Sequence, residues 1–147
     1  MYATLANFID TFSEEELIQL TNLTDPSATT INTAVLEANQ IKAKALINGM
    51  IASNSGLAAQ MPFPTAPPLL TNYELDITRY YLDRNAPRED VRLRYEDAIA
   101  QLRLIGQGKL SIGFVSEQVA PVEPSGGGSI SFDSNDSLFS SGFLEGY

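Results

Sequence analysis

A chain of 147 residues is long enough for one domain with a hydrophobic core, and 18 acidic against 9 basic residues give it a formal charge of −9. It contains no cysteine and no histidine, which removes disulfides, thiolate and imidazole metal ligands, and the commonest general base near neutral pH. No apolar run approaches the ~20 residues that span a bilayer and no early segment has the form of a signal peptide, so the composition predicts a soluble protein made inside the cell, with no catalytic activity, cofactor or metal.

In chain order, Thr4 is an N-cap residue type ahead of Leu5, Phe8 and Ile9 at helical spacing, which predicts a short helix over 4–10. Ser13 ahead of Glu14, Glu15 and Glu16 has the form of a capping box and predicts a second short helix through Leu17, Ile18 and Leu20. The three glutamates read as first-turn acids that complement the helix dipole rather than as a metal or acid–base cluster. A loop with Asp25-Pro26 follows, and Thr30 is the expected cap of the next helix. Over 31–50, Val35, Ala38, Ile41, Ala45, Leu46 and Met50 recur at steps of three or four, which predicts an amphipathic helix of about five turns with this stripe as its apolar face. Its alanines would let another helix approach closely, from this chain or from another subunit, with Lys42 and Lys44 on the wet side.

Residues 53–68 hold Ser-Asn-Ser-Gly and prolines at 62, 64, 67 and 68, so a loop is expected. Pro68 suits the first turn of a helix reaching about Arg84, with Leu69, Tyr73, Ile77, Tyr80 and Tyr81 on its apolar side. Without basic residues interleaved among them, the tyrosines read as core packing with hydroxyls at its boundary rather than as platforms for nucleic-acid bases. Asn85-Ala86-Pro87 separates this helix from one over 88–105, whose buried stripe is Val91, Tyr95, Ala98, Ile99 and Leu102. Asp90 with Arg94 and Arg92 with Glu96 are opposite charges four apart. Gly106 and Gly108 end the helix; a phosphate loop would need a strand before such glycines and a helix after them. Glu89, Asp90, Glu96 and Asp97 are the one carboxylate set that magnesium chemistry would draw on, but they spread around the helix beside arginines that account for their charge.

From Leu110 the composition turns to Gly, Ser and Pro without a single basic residue. Pro121, Pro124 and the Ser-Gly-Gly-Gly after them form a linker, and 129–132 alternates as a short edge strand does. The large apolar residues Phe132, Leu138, Phe139, Phe143, Leu144 and Tyr147 are unlike a plain disordered tail and are the expected partner-binding anchors. The fold class expected is all-α: a small bundle of about five helices over 1–109, with an extended tail over 110–147, containing strand-like segments, for contacts between subunits or with a larger partner.

Several local strings carry a family likeness: Met1-Tyr-Ala-Thr-Leu, Glu15-Glu-Leu-Ile-Gln-Leu-Thr21, Ile47-Asn-Gly, Pro67-Pro-Leu-Leu70, Asp76-Ile-Thr-Arg-Tyr80, Arg94-Tyr-Glu-Asp-Ala98, Leu138-Phe139 and Phe143-Leu-Glu-Gly146. In these the chain resembles the Mu-like phage proteins of the head-to-tail neck, a family of small helical connector subunits. It departs after Asn48-Gly49, where the family has Tyr-Leu and then Arg-Tyr and this chain has Met50-Ile51 and a longer Ser-Asn-Ser-Gly loop. The resemblance implies a structural virion protein of the neck, assembled in the host cytoplasm. It further implies a closed ring of copies, a dodecamer matching the portal, with a tail-side neck or tail-terminator protein below. DNA would pass through the channel without specific binding, and no membrane is involved. The alternative is a non-catalytic regulatory or adaptor protein that binds a host or scaffold partner through its C-terminal tail.

Overall fold

Each helix starts where a side chain or a proline can deal with its first amides. In the computed structural model, which describes residues 1–83 and 86–113, the elements are α1 (Leu5–Phe12), α2 (Glu14–Thr21), α3 (Thr33–Ile51), α4 (Ser55–Ala58), α5 (Pro68–Leu82) and α6 (Glu89–Gly106). No strand occurs among the described residues, so the chain is all-α as expected. The sixth helix is the one-turn α4, which forms inside the expected 53–68 loop because Asn54 Oδ1 accepts from the Gly56 and Leu57 amides. The strand-like segments expected within 110–147 lie outside the described residues.

The reciprocal capping box is at Thr4, whose Oγ1 accepts from the Asn7 amide while Asn7 Oδ1 accepts from the Thr4 amide at 2.8 Å. At Ser13 only half of one forms. Its Oγ accepts from the Glu16 amide, but the Glu16 carboxylate turns to two arginines instead of reaching back. Ser13 takes a positive φ of 66°, the reversal that lets α2 begin immediately after α1. The cap of α3 is Asn32, not Thr30: Asn32 Oδ1 accepts from the Val35 amide, and the Thr30 carbonyl instead accepts from Asn22 Nδ2.

The face of α3 that meets the core overlaps the expected stripe only in part: Val35, Leu46 and Met50 pack half-buried against it. Leu36, Asn39, Gln40, Ala43, Ile47 and Ile51 are buried, whereas Ala38 and Ala45 are exposed and Ile41 is 60% exposed. The reason is that the inward face carries two polar residues with internal partners. Asn39 Nδ2 donates to the Val35 carbonyl and Gln40 Nε2 donates to the Ala3 carbonyl, so a search for apolar spacing favours the opposite side.

Helix α5 is enclosed. Leu70, Tyr73 and Ile77 join Ala43, Ile47 and Ile51 of α3 and Ala98, Leu102 and Ile105 of α6 in one core, onto which Ile112 also folds. Leu75 and Leu82 face a second cluster with Ala3, Phe8, Leu17 and Leu36. Of the expected α6 stripe, Val91, Ala98 and Leu102 are buried, and Tyr95 and Ile99 pack half-buried at its edge. The two glycines after α6 have separate duties. A Cβ on Gly106 would stand 2.4 Å from the Met50 carbonyl oxygen, so α6 crosses the end of α3 where only glycine fits. Gly108, at φ +71°, ends the helix: its amide donates to the Ile105 carbonyl and the Lys109 amide to the Leu104 carbonyl.

Enclosure of α5 buries the Glu74 carboxylate completely. Its Oε2 accepts from the amides of Tyr2 and Ala3, while its Oε1 is buried without a partner. Thr71 Oγ1 donates to the Tyr2 carbonyl, so the segment before α1 is fastened to α5 and α3 by main-chain groups. Burial pushes the Glu74 carboxyl above its ordinary value near 4.5, against the opposing pull of the two amides and of Lys44. A raised carboxyl favours the folded state when protonated. Its contribution is therefore complete below the ordinary value and is lost as the pH rises through the raised one. Glu74→Gln keeps an acceptor for both amides and removes that loss. The variant should match the wild type near pH 4.5 and exceed it at pH 7.5, by about 1.4 kcal/mol for each tenfold change in proton affinity. Denaturant melts of both proteins across this range check it, and parallel stability profiles would contradict it.

Candidate functional site

The six residues expected to anchor a partner, Phe132, Leu138, Phe139, Phe143, Leu144 and Tyr147, lie outside the described residues. The body supplies three other features: an ion cluster, an outward apolar face and a groove.

The ion cluster explains why the Ser13 box is incomplete. Arg79 leaves α5 only 4% exposed and donates through Nε and Nη2 to Glu16 Oε1, the latter at 2.6 Å. Arg88, at the start of α6, donates to the same oxygen at 2.8 Å, and Asp83 stands 3.5 Å from Arg79. Glu16 thus joins the α1–α2 pair to α5 and α6. Around this junction a cleft of about 170 Å³ also receives Asp76, Asp90 and Arg94. Burial pushes the Asp76 carboxyl up, opposed by Arg94. Of the opposite charges expected four apart on α6, Arg92 pairs with Glu96 at 2.5 Å and also with Glu89 at 2.6 Å, while Asp90 lies 3.8 Å from Arg88. Among the described residues no three carboxylates gather as a metal site would require.

The tyrosines pack on one another at the α5–α6 seam. Tyr80 and Tyr95 stack with centroids 4.1 Å apart and planes 11° from parallel, Tyr81 leans on both, and the Tyr73 hydroxyl donates to Gln101. The stacked faces of Tyr80 and Tyr95 are thereby used within the fold.

The apolar face is the one the core leaves outside. Ala34, Ala38, Ile41, Ala45, Gly49 and Ala52 follow one another at steps of three or four on the side of α3 away from the core, and all are exposed. On α6, Leu93 and Leu104 are 48% and 41% exposed, with exposed Ala100 between them. Of the stripe expected to face the interior, Ala38, Ile41 and Ala45 belong to this outward surface.

The groove, about 460 Å³, lies between the N-terminal segment, α3 and the 61–66 loop. Met1, Tyr2, Met61, Phe63 and the exposed Pro62 and Pro64 line it, with Lys44 and Asn48 at the side of α3. The Tyr2 hydroxyl donates to Asn48 Oδ1 and its ring stands 6.4 Å from that of Phe63.

Because Glu16 is the principal partner of a buried guanidinium, Glu16→Gln should lower stability by about 2 kcal/mol. Adding Arg79→Met should recover part of that loss, since the double variant buries no unpaired charge. Denaturant melts of the two single variants and the double variant check this, and strictly additive losses would show that the pair is not coupled.

A search of curated proteins finds no match. The family model described as Bacteriophage Mu, Gp36 matches residues 2–131, from the segment fastened by Glu74 to beyond the last described residue. The chain therefore belongs to the bacteriophage Mu Gp36 family.

Proposed function

We propose that this phage protein is a non-catalytic structural subunit of the virion neck, whose copies stand side by side in a closed ring between the portal and a tail-side neck or tail-terminator protein. The observation that carries the reading is the helix α3, apolar on both sides, with one side filled by the core and the other exposed from Ala34 to Ala52. A continuous apolar strip of small residues lets a second helix approach closely, and a ring offers one at every copy. The tail anchors Phe132, Leu138, Phe139, Phe143, Leu144 and Tyr147 add hooks to neighbours or to the portal. Light scattering after size exclusion, on the free protein and then with the portal, tests it. Co-migration with the portal as a ring supports the reading. A chain that ignores the portal and is retained by a host or scaffold factor establishes the adaptor alternative instead.

Charge supports a passage for DNA rather than a grip on it. Acids outnumber basic residues two to one, and Arg88 and Arg92 are engaged by Glu16, Glu89 and Glu96. The isolated protein should show no binding to duplex DNA at physiological salt, and micromolar binding that weakens steeply with added salt would overturn the passage reading. Among the described residues the core reaches Ile112, and deletion of 125–147 removes none of these. That truncation should leave the melting temperature and helix content unchanged and abolish incorporation into the neck. Particles that assemble and join tails normally with the truncated chain would contradict the role given to the tail.

A further inference from the structure

The groove beside Tyr2 has a composition that specifies its ligand. Its walls are thioether, proline and aromatic surface, and the charged side chain in it is Lys44, half-buried, with no carboxylate of the described residues within 4.0 Å. At about 460 Å³ it exceeds what one apolar side chain fills and lies in the range of sites that take a short segment. Such a site favours an extended peptide with two large apolar residues and a carboxylate close by.

The chain carries such a peptide. Beyond Gly113 lie 34 residues with five acids and no Lys or Arg, and within them Leu138, Phe139, Phe143, Leu144 and Glu145 fall inside eight positions. From Gly113 to Leu138 is 25 residues, up to about 85 Å when extended and about 28 Å on average as a flexible chain. The 18-residue α6 is about 27 Å long, so a neighbouring body is within reach. We propose that the groove takes the 138–145 stretch of a second copy, with Phe143 and Leu144 against Met61 and Pro64 and Glu145 beside Lys44. Assignment to a second copy rather than the same one rests on the ring reading above. Each subunit then carries both a socket and a plug, a head-to-tail arrangement that closes without any self-complementary surface.

The absence of cysteine makes the test direct. Full chains carrying Pro64→Cys are mixed with full chains carrying Phe143→Cys and oxidised. The expected product is a mixed covalent dimer, well above that from Thr11→Cys mixed with Phe143→Cys, since Thr11 is exposed on α1 away from the groove. Ala66→Cys serves as a second socket position. Adding Lys44→Glu to the socket chain should cut the yield at least fivefold, and Glu145→Lys on the plug chain should restore it. Yields no higher than the Thr11 control overturn the proposal, as does indifference to both charge changes. A single chain carrying both Pro64→Cys and Phe143→Cys adds a further check, and a bond that forms only within that chain and not between mixed chains also overturns the proposal. Light scattering on the same wild-type protein separates the two readings. Rings without the dimer sink the groove assignment and leave the ring standing, whereas the dimer without closed rings does the reverse.

Discussion

Polar side chains on the buried faces of a helix cannot reach water, and the arrangement of this protein follows from how α5 accommodates the ones it buries. Glu74, Thr78 and Arg79 are all buried on it. Each charged group has recruited a segment distant in sequence: the amides of Tyr2 and Ala3 come to Glu74, and Glu16 at the start of α2 comes to Arg79. A buried charge left unpaired costs several kcal/mol, a large fraction of the stability of a domain this size. The first twenty residues are therefore placed by the electrostatics of α5 as much as by the packing of Phe8 and Leu17. These attachments also specify position, because an amide pair and a guanidinium fork accept a carboxylate in few geometries.

The parts of the fold legible in the sequence were those that local chemistry decides. Pro68 at a first helical turn, the breaker ahead of α6 and the Gly108 terminator act through their own backbone, and the helices stand where they require. The stripe on α6 was legible because its core positions are apolar throughout. The inward face of α3 was not. Asn39 and Gln40 read as solvent residues until their partners, Val35 one turn back and Ala3 a long way off in sequence, are known. The same holds for Glu16, whose form suggested a cap and whose carboxylate serves Arg79 and Arg88. Buried polar residues are the blind spot of periodicity, since nothing local distinguishes a satisfied one from an exposed one. Of the candidate site, the groove was not legible, because it joins residues 1–2, 44–48 and 61–66, and the expected tail anchors lie outside the described residues.

The outward face of α3 is informative in its own right. A helix of a lone globular domain needs one apolar face, and a second one left in water invites association. Here the second is built mostly from alanine and glycine, which expose little apolar area to water and yet allow helix axes to come close. Larger side chains there would bind more strongly and would also expose a sticky surface before assembly. Small ones favour a surface that is tolerable alone and complementary when many copies are aligned.

That choice bears on how the proposed assembly would be controlled. Weak lateral faces would not hold a ring by themselves, so in a ring of the kind proposed the decisive contacts would come from elements that act only between copies or with a partner. On the proposed reading the chain separates the two tasks. Among the described residues the core reaches Ile112, and the large apolar residues of the tail come after a proline and glycine linker in the sequence. Substitutions in the tail would then alter affinity without unfolding the body, and substitutions in the α5 network would unfold the body without altering the proposed plug. Affinity in such an arrangement would depend on effective concentration: a tail tethered to a neighbour already held by the portal would bind its socket as an intramolecular event. The same pair would meet rarely between free subunits, and a template would thus convert a weak contact into a closed ring.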